Sequence, residues 1–169
     1  TTLLLPLAVA LFGSALGVIL DNNTIGLTES FTASGLDSSV SALTLTVVLQ
    51  SGAATDLSGY LRLGNTDTSP YYDLTSLLQD QTLSADSPTS VSISFTDPTF
   101  HSTFNGRNPN ATWTLFFADT VAGDQTTLNG WSLDVTAVPE PVNVALAFFG
   151  LTGLAARADG APRHERRAD

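Results

Sequence analysis

Residues 42–50, "ALTLTVVLQ", put Leu43, Leu45, Val47 and Leu49 on one side of an extended chain and Thr44, Thr46, Val48 and Gln50 on the other. Side chains alternate across a strand with period two, so this run demands a sheet with one dry face. A helix would scatter the same residues around its circumference. The alternation returns in "SVSISFT" with Val91, Ile93 and Phe95, in "TWTLFF" with Trp113, Leu115 and Phe117, and in "GWSLDV" with Trp131, Leu133 and Val135. Weaker runs cover 27–33, 57–63 and 73–78, and Gly, Pro, Asp and Asn punctuate the chain between them. No amphipathic helix interrupts the pattern. The dry faces must therefore cover one another, which predicts an all-β chain, an antiparallel β-sandwich of jelly-roll type with seven or eight strands. Trp113 and Trp131 share the inward register and belong in the core, where an aromatic of that size removes about 150–250 Å² from water. The irregular stretch 64–89 is expected to hold the long surface loops.

The two ends read differently. Residues 3–20, "LLLPLAVALFGSALGVIL", carry no charge and close with small residues. This is the pattern of a signal helix over 1–20, cut after Gly17, with Ala15 and Gly17 in the peptidase's narrow pockets; a buried strand or a membrane anchor is the alternative, and Pro6 with two glycines makes a poor membrane helix. No basic region and no Met precede it, as expected of a trimmed start. At the other end, 142–156 is apolar apart from Asn143 and Thr152. As a helix it rises about 22 Å, short of a hydrocarbon core of about 30 Å, and Arg157 lengthens the span by snorkelling. Pro139 and Pro141 cannot extend a helix and so isolate this tail. Arg157, Arg163, Arg166 and Arg167 follow the apolar run, on the side held in the cytoplasm. The expected divisions are a signal peptide at 1–20, the sandwich at 21–137 and a tail at 138–169.

Val138-Pro139-Glu140-Pro141, a short apolar helix and a terminal arginine cluster together resemble the PEP-CTERM sorting signal of Gram-negative bacterial proteins. Exosortase enzymes handle that signal. The resemblance implies export, transient anchoring in the inner membrane by the tail helix, and recognition of Pro139, Glu140 and Pro141 by an exosortase. It also implies a membrane stop at Arg157, Arg163, Arg166 and Arg167, and a destination at the cell surface or in an extracellular matrix, often beside exopolysaccharide. The family usually places its arginines directly after the helix, whereas Asp159, Gly160, Pro162 and Glu165 interrupt them here.

Charge narrows the partners. The formal net charge is −10, and residues 21–138 hold twelve acids against Arg62 and Arg107, with no lysine. Such a body repels a phosphate backbone, whose affinity for proteins comes from cations that release counterions, so nucleic acid is excluded as a partner. Hard cations such as calcium, which take oxygen ligands, suit it. Without cysteine there is no disulfide framework and no thiol nucleophile.

Residues 105–135, "NGRNPNATWTLFFADTVAGDQTTLNGWSLDV", resemble the last part of the P domain (P/Homo B) that follows the catalytic domain of subtilisin-like proprotein convertases. The carried features are a Gly/Asn turn, the strand with Trp113 and Leu115, Asp119, the Gly123-Asp124 loop, Leu128 and the Trp131-Ser132-Leu133 strand. The resemblance implies a jelly-roll sandwich, and some P domains hold calcium. Asp119 ends a strand and Asp124 follows a flexible glycine, so their carboxylates are placed to meet loop carbonyls on a calcium ion with about six to eight oxygens. The plainer reading makes Asp119 a turn cap and Asp124 a solvated charge.

Catalysis finds little support. The body's one histidine, His101, sits between Phe100 and Ser102 where a strand end is expected, and no G-x-S-x-G elbow exposes a serine. The sequence therefore favours a non-enzymatic exported surface or matrix protein, adhesive or associated with extracellular polysaccharide. Two alternatives stand beside it. A carbohydrate-binding module requires exposed coplanar rings among Tyr60, Tyr71, Tyr72 and Phe100, and an accessory domain requires a subtilisin-like protease acting in trans.

Overall fold

A computed structural model describes residues 7–13 and 17–139. The chain divides into two units, Thr1–Val138 and Pro139–Asp169. The strands of the first unit are β1 (Leu7–Gly13), β2 (Gly17–Ile19), β3 (Asn23–Thr32), β4 (Ser39–Gln50), β5 (Leu57–Leu63), β6 (Tyr71–Asp73), β7 (Thr89–Ser94), β8 (Thr112–Asp119) and β9 (Thr126–Val138). Two short helices, α1 (Thr75–Gln79) and α2 (Pro98–Phe104), and a 3-10 turn (Ala54–Asp56) complete it. One sheet runs β1-β9-β4-β7 with β2 also on β9, and the other runs β3-β8-β5-β6. Every pairing is antiparallel, so the chain is the β-sandwich its alternation demands.

The core lies between the sheets. Leu43, Leu45, Val47 and Leu49 from β4 and Leu133 and Val135 from β9 face Leu57 and Leu61 from β5 and Trp113, Leu115 and Phe117 from β8, all buried. Both indoles are inside, Trp113 wholly and Trp131 with 4% of its surface exposed. An aromatic chain continues from Trp113 to Phe104 (5.5 Å), Phe100 (5.2 Å from Phe104) and Tyr72 (5.1 Å from Phe100).

Bulges adjust the alternation where its spacing fails. Leu128 and Trp131 are three apart, which a regular strand would put on opposite faces. The ladder shifts between Val48↔Gly130 and Leu49↔Leu128, so Asn129 is the extra residue and both apolar side chains turn inward. In β3 the register slips between Asn23 and Leu27. Gly26 sits there at φ +66, where a Cβ would strike the Phe117 carbonyl, so only glycine fits.

Three expectations need correction. Of residues 73–78 only Asp73, the end of β6, is in a strand: Leu74, Leu77 and Leu78 have the i, i+3, i+4 spacing of one helical turn, and Leu74 and Leu78 are buried. His101 lies on α2 instead of at a strand end; Asp97 caps that helix by accepting from the Phe100 N–H at 2.7 Å, and Pro98 opens it. At the N-terminus the described residues form strands, not the expected signal helix, because an apolar uncharged segment can satisfy the otherwise unpaired N–H and C=O groups along β9. The apolar helix expected at 142–156 falls outside the described residues, as do Glu140, Pro141, Arg157, Arg163, Arg166 and Arg167. Among the described residues, no helix is long and apolar enough to cross a membrane.

Candidate cation site

Asp119 is the last residue of β8, and two ladders converge on it: Asn23 of β3 pairs with it on one side and Leu57 of β5 on the other. Being central in the sheet, its side chain is wholly buried. One carboxylate oxygen, Oδ1, accepts the Val121 N–H at 3.3 Å, while the other, Oδ2, is buried with no hydrogen-bond partner. A charge removed from water in this way is costly unless something compensates it. Burial accordingly raises the Asp119 pKa, the Val121 N–H opposes that rise, and the negative charges of Asp21, Asp56 and Asp124 add to it.

Each of those three acids arrives by a different route. Asp21 follows β2 at the turn into β3, and both its oxygens accept the Gly123 N–H, at 3.1 and 3.2 Å, which ties the N-terminal arm to the β8–β9 loop. Asp56 ends the 3-10 turn before β5, and its carbonyl accepts the Thr120 N–H at 3.2 Å. Asp124 stands exposed in the loop, after Gly123 at φ +150. At the far end of the same loop, Thr126 is buried and its Oγ1 also lacks a partner. Loop 120–125 is thus flanked at both ends by a buried oxygen with spare acceptor capacity.

Of the two acids expected to act together, Asp124 is close enough to Asp119 for its charge to add to the rise in the Asp119 pKa. The amino-acid pattern gave no sign of Asp21 and Asp56, which are remote along the chain and lack any local signature. Among the described residues, no three acid or histidine side chains already form a metal-ligand set. A calcium ion here would therefore draw on two carboxylates at most as they stand and complete its shell from loop carbonyls, Thr126 Oγ1 and water.

The aromatic residues give a mixed result. Phe100 is fully buried and Tyr72 packs edge-on against it at 88°. Tyr71 is 56% exposed, but it meets Tyr60 at 75°, and Tyr60 instead stacks on Phe116 at 5.0 Å and 20°. No flat platform forms from the four rings. Between α1 and the β7–α2 connection runs an open groove of about 720 Å³, lined by Tyr72, Asp80, Asp97 and the hydroxyls of Thr44, Ser76 and Ser92. Burial, then the adjoining Asp97 carboxylate, raise the pKa of the Tyr72 hydroxyl. The exposed His101 rests its ring edge-on against Phe95 at 4.9 Å.

No protein family's sequence profile matches this chain, and no curated protein matches it. Among solved structures, it is similar to a chain in the complex of the Aeromonas sobria serine protease with its chaperone, at 18% identity and TM-score 0.55, over 80% of this chain and 28% of that one. A structure of the infectious bursal disease virus Gx strain aligns at 17% identity and TM-score 0.47, over 78% and 32% of the two chains. A family two carbohydrate esterase from Cellvibrio japonicus aligns at 17% identity and TM-score 0.29, over 81% and 36%. This chain therefore spans about a third or less of the first two. The Aeromonas likeness establishes a common sandwich fold.

Proposed function

We propose that this chain is a non-enzymatic, exported β-sandwich that presents its loops at the cell surface or in the extracellular matrix of a Gram-negative bacterium, with a calcium ion at its acidic end. The observation that carries the reading is Asp119, buried with an orphaned oxygen and acted on by the negative charges of Asp21, Asp56 and Asp124. Calcium supplies the missing positive charge and accepts the oxygens that water cannot reach. It would fasten the N-terminal arm, through Asp21, to the β8–β9 loop and so make that end rigid. Few ligands are set in advance and the loop is exposed, which suits the weak affinities of extracellular modules, with Kd of about 10⁻⁴–10⁻³ M. Such a site fills outside a cell and stays empty inside one.

Sorting by an exosortase rests on the sequence alone: Pro139, Glu140, Pro141 and the four arginines of the tail. Cell fractionation with and without the exosortase tests it; unchanged mass and location of the protein would overturn it. For calcium, titration calorimetry against magnesium as control, on the parent and on Asp119→Asn, is the direct measurement. Calcium binding that survives in Asp119→Asn would remove the acidic end from the reading.

A second reading has one observation behind it. The sandwich shared with a chain of a serine protease–chaperone complex supports an accessory domain that partners a subtilisin-like protease in trans, as the P-domain resemblance implies. Purified protein that leaves the stability and activity of a co-expressed protease unchanged would dismiss this alternative.

A further inference from the structure

Strand β9 is held very differently on its two sides. On the inner side it pairs with β4 from Ser39↔Val138 to Gln50↔Thr127. On the outer side, among the described residues, it is covered by the N-terminal arm: β1 runs in unbroken register from Leu7↔Ala137 to Gly13↔Trp131, and β2 continues from Gly17↔Leu128 to Ile19↔Thr126. Among the described strands of its sheet, β1 pairs with β9 alone. We propose that the outer edge of β9 is a strand-acceptor site, filled here by the chain's own segment Leu7–Gly13 and able, once that segment leaves, to take an uncharged apolar strand of another polypeptide in the same antiparallel register.

Three features argue for it. Strand β1 is separable, since it contributes one ladder and a cut after Gly17 would remove it entirely while leaving Val18 and Ile19 of β2 on β9; the inference rests on the export reading for this step alone. The edge it would uncover is long, and behind it Leu128, Trp131, Leu133, Val135 and Ala137 are all buried. A bare edge over such residues is a template for strand addition, in which main-chain hydrogen bonds supply affinity and alternate side chains supply specificity. Charge selects the partner: a second copy brings another body with twelve acids against two arginines, whereas an uncharged strand brings no repulsion. Register adds a specific demand. The exposed Asp134 faces Ala10 in the pair, so an incoming strand must place a small or basic residue there.

The test uses the full chain carrying Ala10→Pro with Leu11→Pro. Successive residues of a strand direct their N–H groups to opposite sides, so the pair removes one β9-facing donor whichever way β1 is phased. The probe is a fluorescent, lysine-tailed peptide of residues 7–13, followed by anisotropy. We expect saturable binding to the variant, binding at least ten-fold weaker to the parent, and several-fold weaker binding of an Ala10→Asp peptide to the variant. Equal binding to parent and variant, indifference to Ala10→Asp, or self-association of the variant instead of peptide binding would overturn the proposal. So would loss of the near-ultraviolet dichroism of the indoles in the variant, because β1 would then be an integral strand and no displaceable donor. None of these readouts involves calcium or sorting, so their failure leaves the proposed function untouched.

Discussion

The two ends of β8 are finished in opposite ways. Near its start, Trp113 is buried among Phe104 and its aromatic neighbours, and its Nε1–H donates to the Pro109 carbonyl at 3.1 Å. At its end, Asp119 is equally buried, yet one oxygen has no partner and the nearest charges have its own sign. One end is complete within the protein, and the other leaves a buried carboxylate oxygen unpaired. The same strand thus joins an end whose buried polar group is satisfied to one whose buried polar group is not.

The contrast can be broken most severely at Trp113. Trp113→Ala should cost about 3–5 kcal/mol, because a large cavity replaces a fully packed ring. Urea denaturation measures it, and a loss under about 1 kcal/mol would mean that this end is not a keystone of the fold. At the other end, calcium at a hundredfold its Kd should add about 2.7 kcal/mol of stability to the parent. Asp119→Asn should gain none of this; without calcium it should be more stable than the parent near neutral pH by about 1 kcal/mol, since a buried unpaired charge is gone. Thermal melts with calcium and with a chelator decide both.

The pH dependence sharpens the same point. The Asp119 pKa is raised in the folded state, so the folded protein holds this proton more tightly than the unfolded chain does. The associated stability is fully present below the unfolded carboxylate pKa and is lost as pH rises through the raised value. In chelator, the stability of the parent relative to Asp119→Asn should therefore fall as pH rises above the ordinary carboxylate range. Calcium, which needs the ionised form, should oppose that fall. A difference that stays flat across this window would mean that Asp119 is adequately solvated. Smaller still, Asp97→Ala should cost about 1 kcal/mol by uncapping α2 and leave calcium binding intact. Asp124→Ala should shift stability in chelator by less than about 0.5 kcal/mol, because the residue is exposed, while weakening calcium.

Much of the sandwich is legible in the amino-acid pattern. The faces of β4, β7 and β8 and both buried indoles follow from alternation alone. The short helices are harder: Leu74, Leu77 and Leu78 carry a helical spacing, but a single turn is too brief for periodicity to outvote the surrounding strands. Asp97-Pro98 is the more readable sign, an N-cap followed by a residue that suits the first turn. Of the acidic cluster, Asp119 and Asp124 can be paired because they share a loop. Asp21 and Asp56 cannot, since Asp21 reaches Gly123 across 102 positions of sequence.

Amino-acid order alone determined which face of each main strand is dry, because successive side chains on an extended backbone must point to opposite sides. It equally determined an acidic body that repels phosphate. Only the tertiary structure decided which acids meet, that Asp119 should be sealed from water, and that the N-terminal arm should lie along β9. Those outcomes depend on the registers by which distant strands pair, and register is a property of two strands together that neither carries by itself.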